Sequence, residues 1–262
     1  MQIDALASSS ARLDYLLTQA KNRGARIAVL PEYACGGFFK ELEKTPLSEI
    51  KKSGEEQYAN LAKLARLYKI TIIAPLVRVI GGKPFKTCYR FSPDRAWRYD
   101  QRTLINYPHW NEAAFFANSR RDPKPPIFVY QGFRIATLFG FELHFDLLWH
   151  KLIEARADIA IVPSVCAFES FERWRTLCKS RAFTGGCYLL RANRIGAYDD
   201  KPQRWEFYGD SLYCHPFGEI ENSLDDREGI LVAACDRAVI RAARRAFGFP
   251  KIVAAQKTIA DK

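Results

Sequence analysis

The sequence predicts an α/β fold in which helices pack outside two sheets. Two observations carry this prediction. Buried-strand patterns such as Ile27-Ala28-Val29-Leu30 alternate with helical patterns along the chain, as expected for layered α/β proteins. The second half of the chain repeats the alternation of the first. No repeat, low-complexity tract or linker interrupts the 262 residues, so we expect one domain covering residues 1–262.

The first half begins with a predicted helix, which Gly24 ends, and continues into the strand at 27–30. Ser53 followed three residues later by Glu56 has the pattern of a capping box, which predicts that a second helix begins there. A buried strand at 70–73 follows, and Gly81-Gly82 predicts a hairpin. The apolar residues that recur at helical spacing in the first helix are Leu13, Leu16, Leu17 and Ala20.

The second half is predicted from the same two patterns, with short apolar runs as strands and longer amphipathic segments as helices. In order, we expect a strand at 134–139, a helix at 147–155, a strand at 158–162, a helix at 171–183, a strand at 187–192, and antiparallel strands at 211–215 and 229–235.

Composition excludes several classes of protein. No apolar run is long enough to span a bilayer, and the start Met1-Gln2-Ile3-Asp4 lacks the pattern of a signal peptide. Seven scattered cysteines then predict reduced thiols in the cytoplasm. The net charge of +11 is spread along the chain without a nucleic-acid-binding motif, so a solvated basic surface is favoured over nucleic-acid binding. The histidines lack metal-ligand spacing, and we expect neither metal nor cofactor.

Several short motifs follow one another along nearly the whole chain. They are Leu30-Pro31-Glu32-Tyr33, 99–104, Glu112 with Phe115 and Phe116, 134–145, 157–164, Arg181-Ala182 with 193–196, and the closing segments 208–211, 216–219 and 228–231. In this order they resemble, in register, the motifs of the carbon–nitrogen hydrolase (nitrilase-like) family. The resemblance implies that family's four-layer α-β-β-α sandwich.

The resemblance assigns four positions to chemistry. Glu32 matches the family's general base and Glu112 its second glutamate, whereas Gly140 stands at the cysteine nucleophile and Gln101 at the lysine. The family's first strand is mostly absent: Gln2 matches its end, so either the native start lies upstream or the strand is lost. The chain is therefore identified as a degenerate member of the family.

These two departures predict an inactive protein. Glycine cannot form a thioester, and removing a nucleophile that acts as part of a unit costs on the order of a million-fold in rate. Gln101 brings no positive charge to an oxyanion, and loss of one stabilising donor costs roughly 10²–10³-fold. Without a lysine partner, Glu32 should have a raised pKa. A glycine at position 140 could also relax a strained turn.

An inactive protein of this kind could bind a small amide-like or carboxylate ligand, with Phe141, Glu142 and Cys166 as binding residues, or serve as a structural partner. Alternatively, the chain could be an active amide or nitrile hydrolase that uses activated water or a relocated thiol, Cys35 or Cys166, each just beyond a predicted strand. Free cysteines are commonly buried hydrophobes, which argues against relocation.

The resemblance also implies a homodimer, because proteins of this family usually pair through helices beside the active site. The predicted helices at 147–155 and 171–183 are the candidates for that interface.

Overall fold

Two sheets form the centre of the structure, a computed structural model that describes residues 1–4, 10–118 and 126–260. The first sheet has the strand order β1-β2-β3-β4, with β1 parallel to β2 and the other pairs antiparallel. Its strands are β1 (Ile27–Val29), β2 (Thr71–Ile80), β3 (Lys83–Phe91) and β4 (Ala96–Asp100).

The second sheet has the order β14-β13-β10-β9-β8-β7, and its three central strands β8, β9 and β10 run parallel. Two small two-stranded sheets, β5-β6 and β11-β12, lie in the connections. These strands are β5 (Asn106–Tyr107), β6 (Trp110–Asn111), β7 (Ile127–Tyr130), β8 (Phe133–Thr137), β9 (Ile159–Ser164), β10 (Tyr188–Asn193), β11 (Ile195–Asp200), β12 (Gln203–Tyr208), β13 (Leu212–Cys214) and β14 (Ile220–Ser223).

The described residues form eight α-helices and one 3₁₀ helix, and some of these helices cover the outer faces of the sheets. The α-helices are α1 (Ser10–Asn22), α2 (Phe39–Leu42), α3 (Leu47–Tyr68), α4 (Glu112–Phe115), α5 (Asp146–Glu154), α6 (Phe171–Gly185), α7 (Arg237–Phe247) and α8 (Phe249–Ala260), with the 3₁₀ helix at Gly140–His144. Apolar residues of α1 and α3 form one buried cluster with the first sheet, and those of α5 and α6 form another with the second. A third cluster fills the space between the sheets, where Ile73 and Tyr99 meet Ile135 and Ile161. The predicted α-β-β-α sandwich is confirmed.

Two predictions about individual elements are wrong. Helix α3 begins at Leu47 rather than at Ser53, because Pro46 at the N-cap position fixes the turn into the helix. The predicted strand at 229–235 does not form, and within this segment only Gly229 pairs, in an isolated antiparallel bridge with Gln2.

Glycine within α3 has a packing role. A Cβ built on Gly54 would lie 2.4 Å from the carbonyl oxygen of Val77, so the helix approaches β2 more closely than any side chain allows. This close approach explains a glycine in the middle of a helix, where it costs about 1 kcal/mol relative to alanine.

The two sheets are joined directly where β1 and β9 end. The backbone N–H of Glu32, just beyond β1, donates to the carbonyl oxygen of Ser164 at the end of β9 (3.2 Å). Gly140 follows β8, the parallel neighbour of β9, so the carboxyl ends of three strands meet at one place. Among the residues that the structure describes, no helix is long and apolar enough to cross a membrane.

Candidate active site

Glu32 lies at the centre of this junction with its carboxylate almost completely buried. One carboxylate oxygen accepts the backbone N–H of Gly140 at 3.1 Å. The other lies 2.5 Å from the ammonium of Lys86, which projects from β3. A glutamate from the first sheet therefore contacts a backbone turn of the second sheet and a lysine of its own sheet.

Lys86 bridges two carboxylates. The side chain of Lys86 is 2% exposed, and its ammonium donates to Glu112 at 2.6 Å as well as contacting Glu32. It also lies over the rings of Tyr33 and Phe139, 4.7 and 5.5 Å from their centroids. A buried ammonium needs such partners, since an unpaired charge in the protein interior is strongly unfavourable.

Glu112, at the start of α4, is held by more groups than Lys86 alone. The Tyr33 hydroxyl donates to it at 2.5 Å and the Trp110 indole N–H at 3.2 Å. The backbone N–H of Ile105 contacts its second oxygen at 3.4 Å. These donors hold the Glu112 side chain in one position, facing Lys86.

The protonation of Glu32 is balanced between opposing effects. Burial raises its pKa, the charge of Lys86 lowers it and the charge of Glu112 raises it, leaving the pKa at about 7 against an ordinary 4.5. Burial alone would lower the pKa of Lys86, but Glu112 and Glu32 together raise it above its ordinary value. The lysine therefore stays charged near neutral pH while Glu32 exchanges its proton there.

Gln101 is the position where the resemblance places the lysine. It is also buried, and its side chain forms no hydrogen bond with Glu32 or Glu112. Its amide N–H donates to the carbonyl of Thr103 at 2.8 Å, and its amide oxygen has no hydrogen-bond partner among the described residues. The expectation that Glu32 has no lysine partner is wrong, because Lys86 occupies that role from the adjacent strand.

Gly140 begins the 3₁₀ helix where the nucleophile is expected. A Cβ built there would lie 2.7 Å from the Cβ of Ser164 and 3.2 Å from a carboxylate oxygen of Glu32. Its φ lies outside the left-handed region, so the backbone conformation at this position does not itself require glycine. What glycine provides here is space, because the main chain lies closer to β9 than a side chain at position 140 allows.

A cavity of about 260 Å³ opens beside Glu32. Phe141 and Cys166 line it, as expected of binding residues, together with Ser170 and Arg173. Its aromatic wall consists of Tyr107, His109, Trp110, Phe141, His144, Phe168 and Trp174. The volume lies just below the range of common small-molecule sites, so the cavity suits a compact ligand with a polar end at Glu32.

Glu142 was expected to contact a ligand, and the structure corrects this. Its buried carboxylate turns away from the cavity and accepts the Tyr99 hydroxyl at 2.7 Å and the backbone N–H groups of Arg102 and Phe139 at 2.7 and 3.0 Å. Glu142 therefore connects the segment after β4 to the start of the 3₁₀ helix.

The two candidate thiols lie in different places. Cys35 lines a separate void of about 30 Å³ and not the cavity beside Glu32. Cys166 shares that cavity with Glu32. Burial raises the pKa of both thiols to about 12; for Cys166 the guanidinium of Arg191 and the Tyr208 hydroxyl oppose this rise without cancelling it. Neither thiol is activated at neutral pH, because the thiolate is the nucleophile.

Lys86 is the functional residue that the sequence analysis missed. A turn at Ser92–Arg95 joins β3 to β4 and is closed by a hydrogen bond from the Ser92 N–H to the Arg95 carbonyl (2.9 Å). This turn sets the register of the two strands, which brings Lys86 opposite Gln101. The Ser92-Pro93-Asp94 sequence is a turn signal that could have revealed this pairing.

Within the described residues, no group of three His, Cys, Asp or Glu side chains could hold a metal ion.

Comparison with known proteins agrees with this geometry. A family model described as carbon–nitrogen hydrolase matches residues 5–245. The chain belongs to the carbon–nitrogen hydrolase family. N-carbamoylputrescine amidase of Arabidopsis thaliana is 22% identical over 261 residues, which cover 94% of this chain and 87% of that protein. Human deaminated glutathione amidase is 28% identical over 115 residues, covering 43% of this chain and 34% of that protein.

Solved structures of carbon–nitrogen hydrolases share the fold. The Helicobacter pylori G27 carbon–nitrogen hydrolase superposes with a TM-score of 0.86 at 21% identity, over 96% of this chain and 92% of that one. An amidase from Nesterenkonia sp. AN1 superposes with a TM-score of 0.77 at 19% identity, over 95% and 96%. That amidase has an active-site cysteine to which acrylamide adds. Here Gly140 stands at the position that the family resemblance assigns to the nucleophile.

Proposed function

We propose that this carbon–nitrogen hydrolase family protein binds a small amide-like or carboxylate ligand beside Glu32 and does not hydrolyse it. The observation that carries the proposal is the contact between Gly140 and Ser164. A Cβ at position 140 would be 2.7 Å from the Ser164 Cβ, so both the nucleophile and the room for it are missing. Covalent catalysis of the family type needs a side-chain nucleophile beside the base.

The cavity supports the binding half of the proposal. It retains about 260 Å³ next to Glu32, with aromatic rings around it. The N–H groups of an amide donate to a carboxylate, whereas a ligand carboxylate pairs best with a protonated Glu32 or with the guanidinium of Arg173. Because the pKa of Glu32 is about 7, both protonation states of the site are populated near neutral pH.

The test combines turnover with binding. Purified protein is incubated with butyramide, butyronitrile, an N-carbamoyl amine and butyrate, while ammonia release and ligand-observed NMR are followed. We expect binding of at least one probe that Phe141→Ala or Trp174→Ala weakens, without ammonia release. Saturable ammonia release by the unaltered protein would contradict the inactive assignment, and failure of every probe to bind would contradict the ligand-binding role.

A second candidate function is hydrolysis by the relocated thiol of Cys166 or by a water that Glu32 activates. The shared cavity of Cys166 and Glu32 favours it, whereas the raised thiol pKa opposes it. If the probes above are hydrolysed, Cys166→Ala and Glu32→Gln separate the two mechanisms. Loss of activity in Cys166→Ala identifies the thiol, and loss in Glu32→Gln alone identifies water.

The basic charge and the thiols support two weaker expectations. Arg237, Arg241 and Arg245 are exposed on α7, a stripe that favours weak, strongly salt-dependent binding of nucleic acid at most. Salt-resistant, sequence-selective binding in an electrophoretic shift assay would contradict this expectation.

Buried free thiols at Cys35 and Cys166 suit a reducing compartment, which supports a cytoplasmic location.

A further inference from the structure

We infer that Lys86 supplies, from the neighbouring strand, the positive charge that the family resemblance assigns to position 101. The inference concerns the charge that positions Glu32 and Glu112 for the site. It does not depend on whether the cavity binds a ligand, so it can be tested without one.

The first step is the pairing of the two positions. In the antiparallel pair of β3 and β4, Thr87 lies opposite Asp100, and the backbone N–H of Gln101 donates to the carbonyl of Lys86 at 3.0 Å. Lys86 and Gln101 are therefore direct cross-strand neighbours. Side chains of such neighbours project from the same face of a sheet, with Cβ atoms about 4.5–5.5 Å apart.

The second step is the way in which Asn118 fixes this pairing. The Asn118 amide nitrogen donates to the carbonyls of both Lys86 (2.7 Å) and Gln101 (2.9 Å), and its amide oxygen accepts the N–H of Lys86 at 3.0 Å. The Asn118 side chain thus holds the backbones of positions 86 and 101 in register. A long side chain at either position therefore projects from a fixed point on the same face of the sheet.

The third step is the charge count at the site. Glu32 and Glu112 are buried carboxylates, and the ammonium of Lys86 contacts both. A lysine at position 101 would bring a second ammonium, and neither carboxylate would be free to pair with it alone, because Lys86 already contacts both. Gln101 is neutral, and its amide oxygen is unpartnered among the described residues, as expected of a side chain that the carboxylate pair does not need. In this chain the lysine of the pair lies on β3, and the neutral residue lies opposite it.

The first test compares Lys86→Gln, Gln101→Lys and the exchange variant that carries both changes, by chemical denaturation. Lys86→Gln leaves two buried carboxylates without a counter-charge, so the folding equilibrium constant should fall by roughly 100-fold or more. Gln101→Lys should also be destabilised, and the exchange variant should recover most of the loss of either single variant. Lys83→Gln, which removes an exposed lysine of the same strand, is the matched control and should change little.

A second measurement separates positioning from simple stabilisation. The titration of Glu32 is followed by carboxyl ¹³C NMR, assigned with Glu32→Gln. Its midpoint should rise in Lys86→Gln and return toward that of the unaltered protein in the exchange variant. An unchanged Glu32 midpoint in Lys86→Gln would overturn the inference. An exchange variant whose loss of stability equals the sum of the losses of the two single variants would overturn it as well.

Discussion

The backbone N–H of Gly140 donates to the carboxylate of Glu32 at 3.1 Å. In the family mechanism the corresponding glutamate is the base beside a thiol, whereas here it accepts a hydrogen bond from the main chain at the thiol's position. Protonation of Glu32 therefore changes the strength of a contact between the two sheets.

The pH dependence of stability should report this group. The pKa of Glu32 is about 7 in the folded protein against 4.5 ordinarily, so the folded state holds a proton that the unfolded chain releases. The contribution of Glu32 to the free energy of unfolding is greatest below pH 4.5 and is lost as the pH rises through 7. The free energy of unfolding of the unaltered protein, relative to that of Glu32→Gln, should therefore fall as the pH rises from 4.5 to 8. Chemical denaturation of both proteins across this pH range measures it. A difference that does not change with pH would contradict this prediction, and Glu55→Gln, at an exposed glutamate, is the matched control.

Crowding at position 140 should be measurable without any chemistry. Gly140→Ala forces its Cβ against Ser164 and should lower the free energy of unfolding by about 1–3 kcal/mol, the usual cost of overpacking. Ser164→Gly introduced together with it should return part of that loss. Gly37→Ala is the control, since there the nearest atom is the movable end of Glu41. Independent, additive effects of the two changes would argue against contact.

Helix α3 offers a paired prediction at adjacent positions. Gly54→Ala should destabilise the protein despite the higher helix propensity of alanine, because its Cβ would meet the Val77 carbonyl. Ser53→Ala should be neutral or slightly stabilising, since Ser53 is an exposed residue inside the helix. Were Ser53 the N-cap, its replacement would cost about 1 kcal/mol. Thermal denaturation of both variants distinguishes these outcomes.

A homodimer through α5 and α6 remains our prediction for the assembly. Leu147 on α5 is 63% exposed and Phe171 on α6 is 37% exposed, so these helices present apolar side chains to a partner. Light scattering at micromolar concentration should give twice the chain mass, and Leu147→Glu should reduce it to the mass of one chain. Leu67→Glu, at a leucine of α3 with 61% exposure, should leave the dimer intact. A monomeric unaltered protein would contradict the prediction.

The sequence predicted the layers and the strands at Glu32 and Gly140, because buried strands have continuous apolar runs that are legible locally. It placed Glu142 and the start of α3 incorrectly. The direction of the Glu142 side chain depends on Tyr99 and a distant loop, and the start of α3 depends on Pro46 rather than on the capping pattern at Ser53. The contacts of Glu142 join distant segments and leave no local signal, whereas the start of α3 had a local signal in Pro46 that the capping pattern obscured.

The pairing of Lys86 with Gln101 has a consequence for how related chains are compared. An alignment compares residues position by position along the chain, and at position 101 it records the loss of a lysine. Two residues that face each other across strands share one neighbourhood, so either can deliver a charge to it. Substitutions in this family should therefore be compared for cross-strand pairs rather than for single positions. A chain that lacks the lysine at one position of such a pair should be checked for a lysine at the position opposite before it is called inactive.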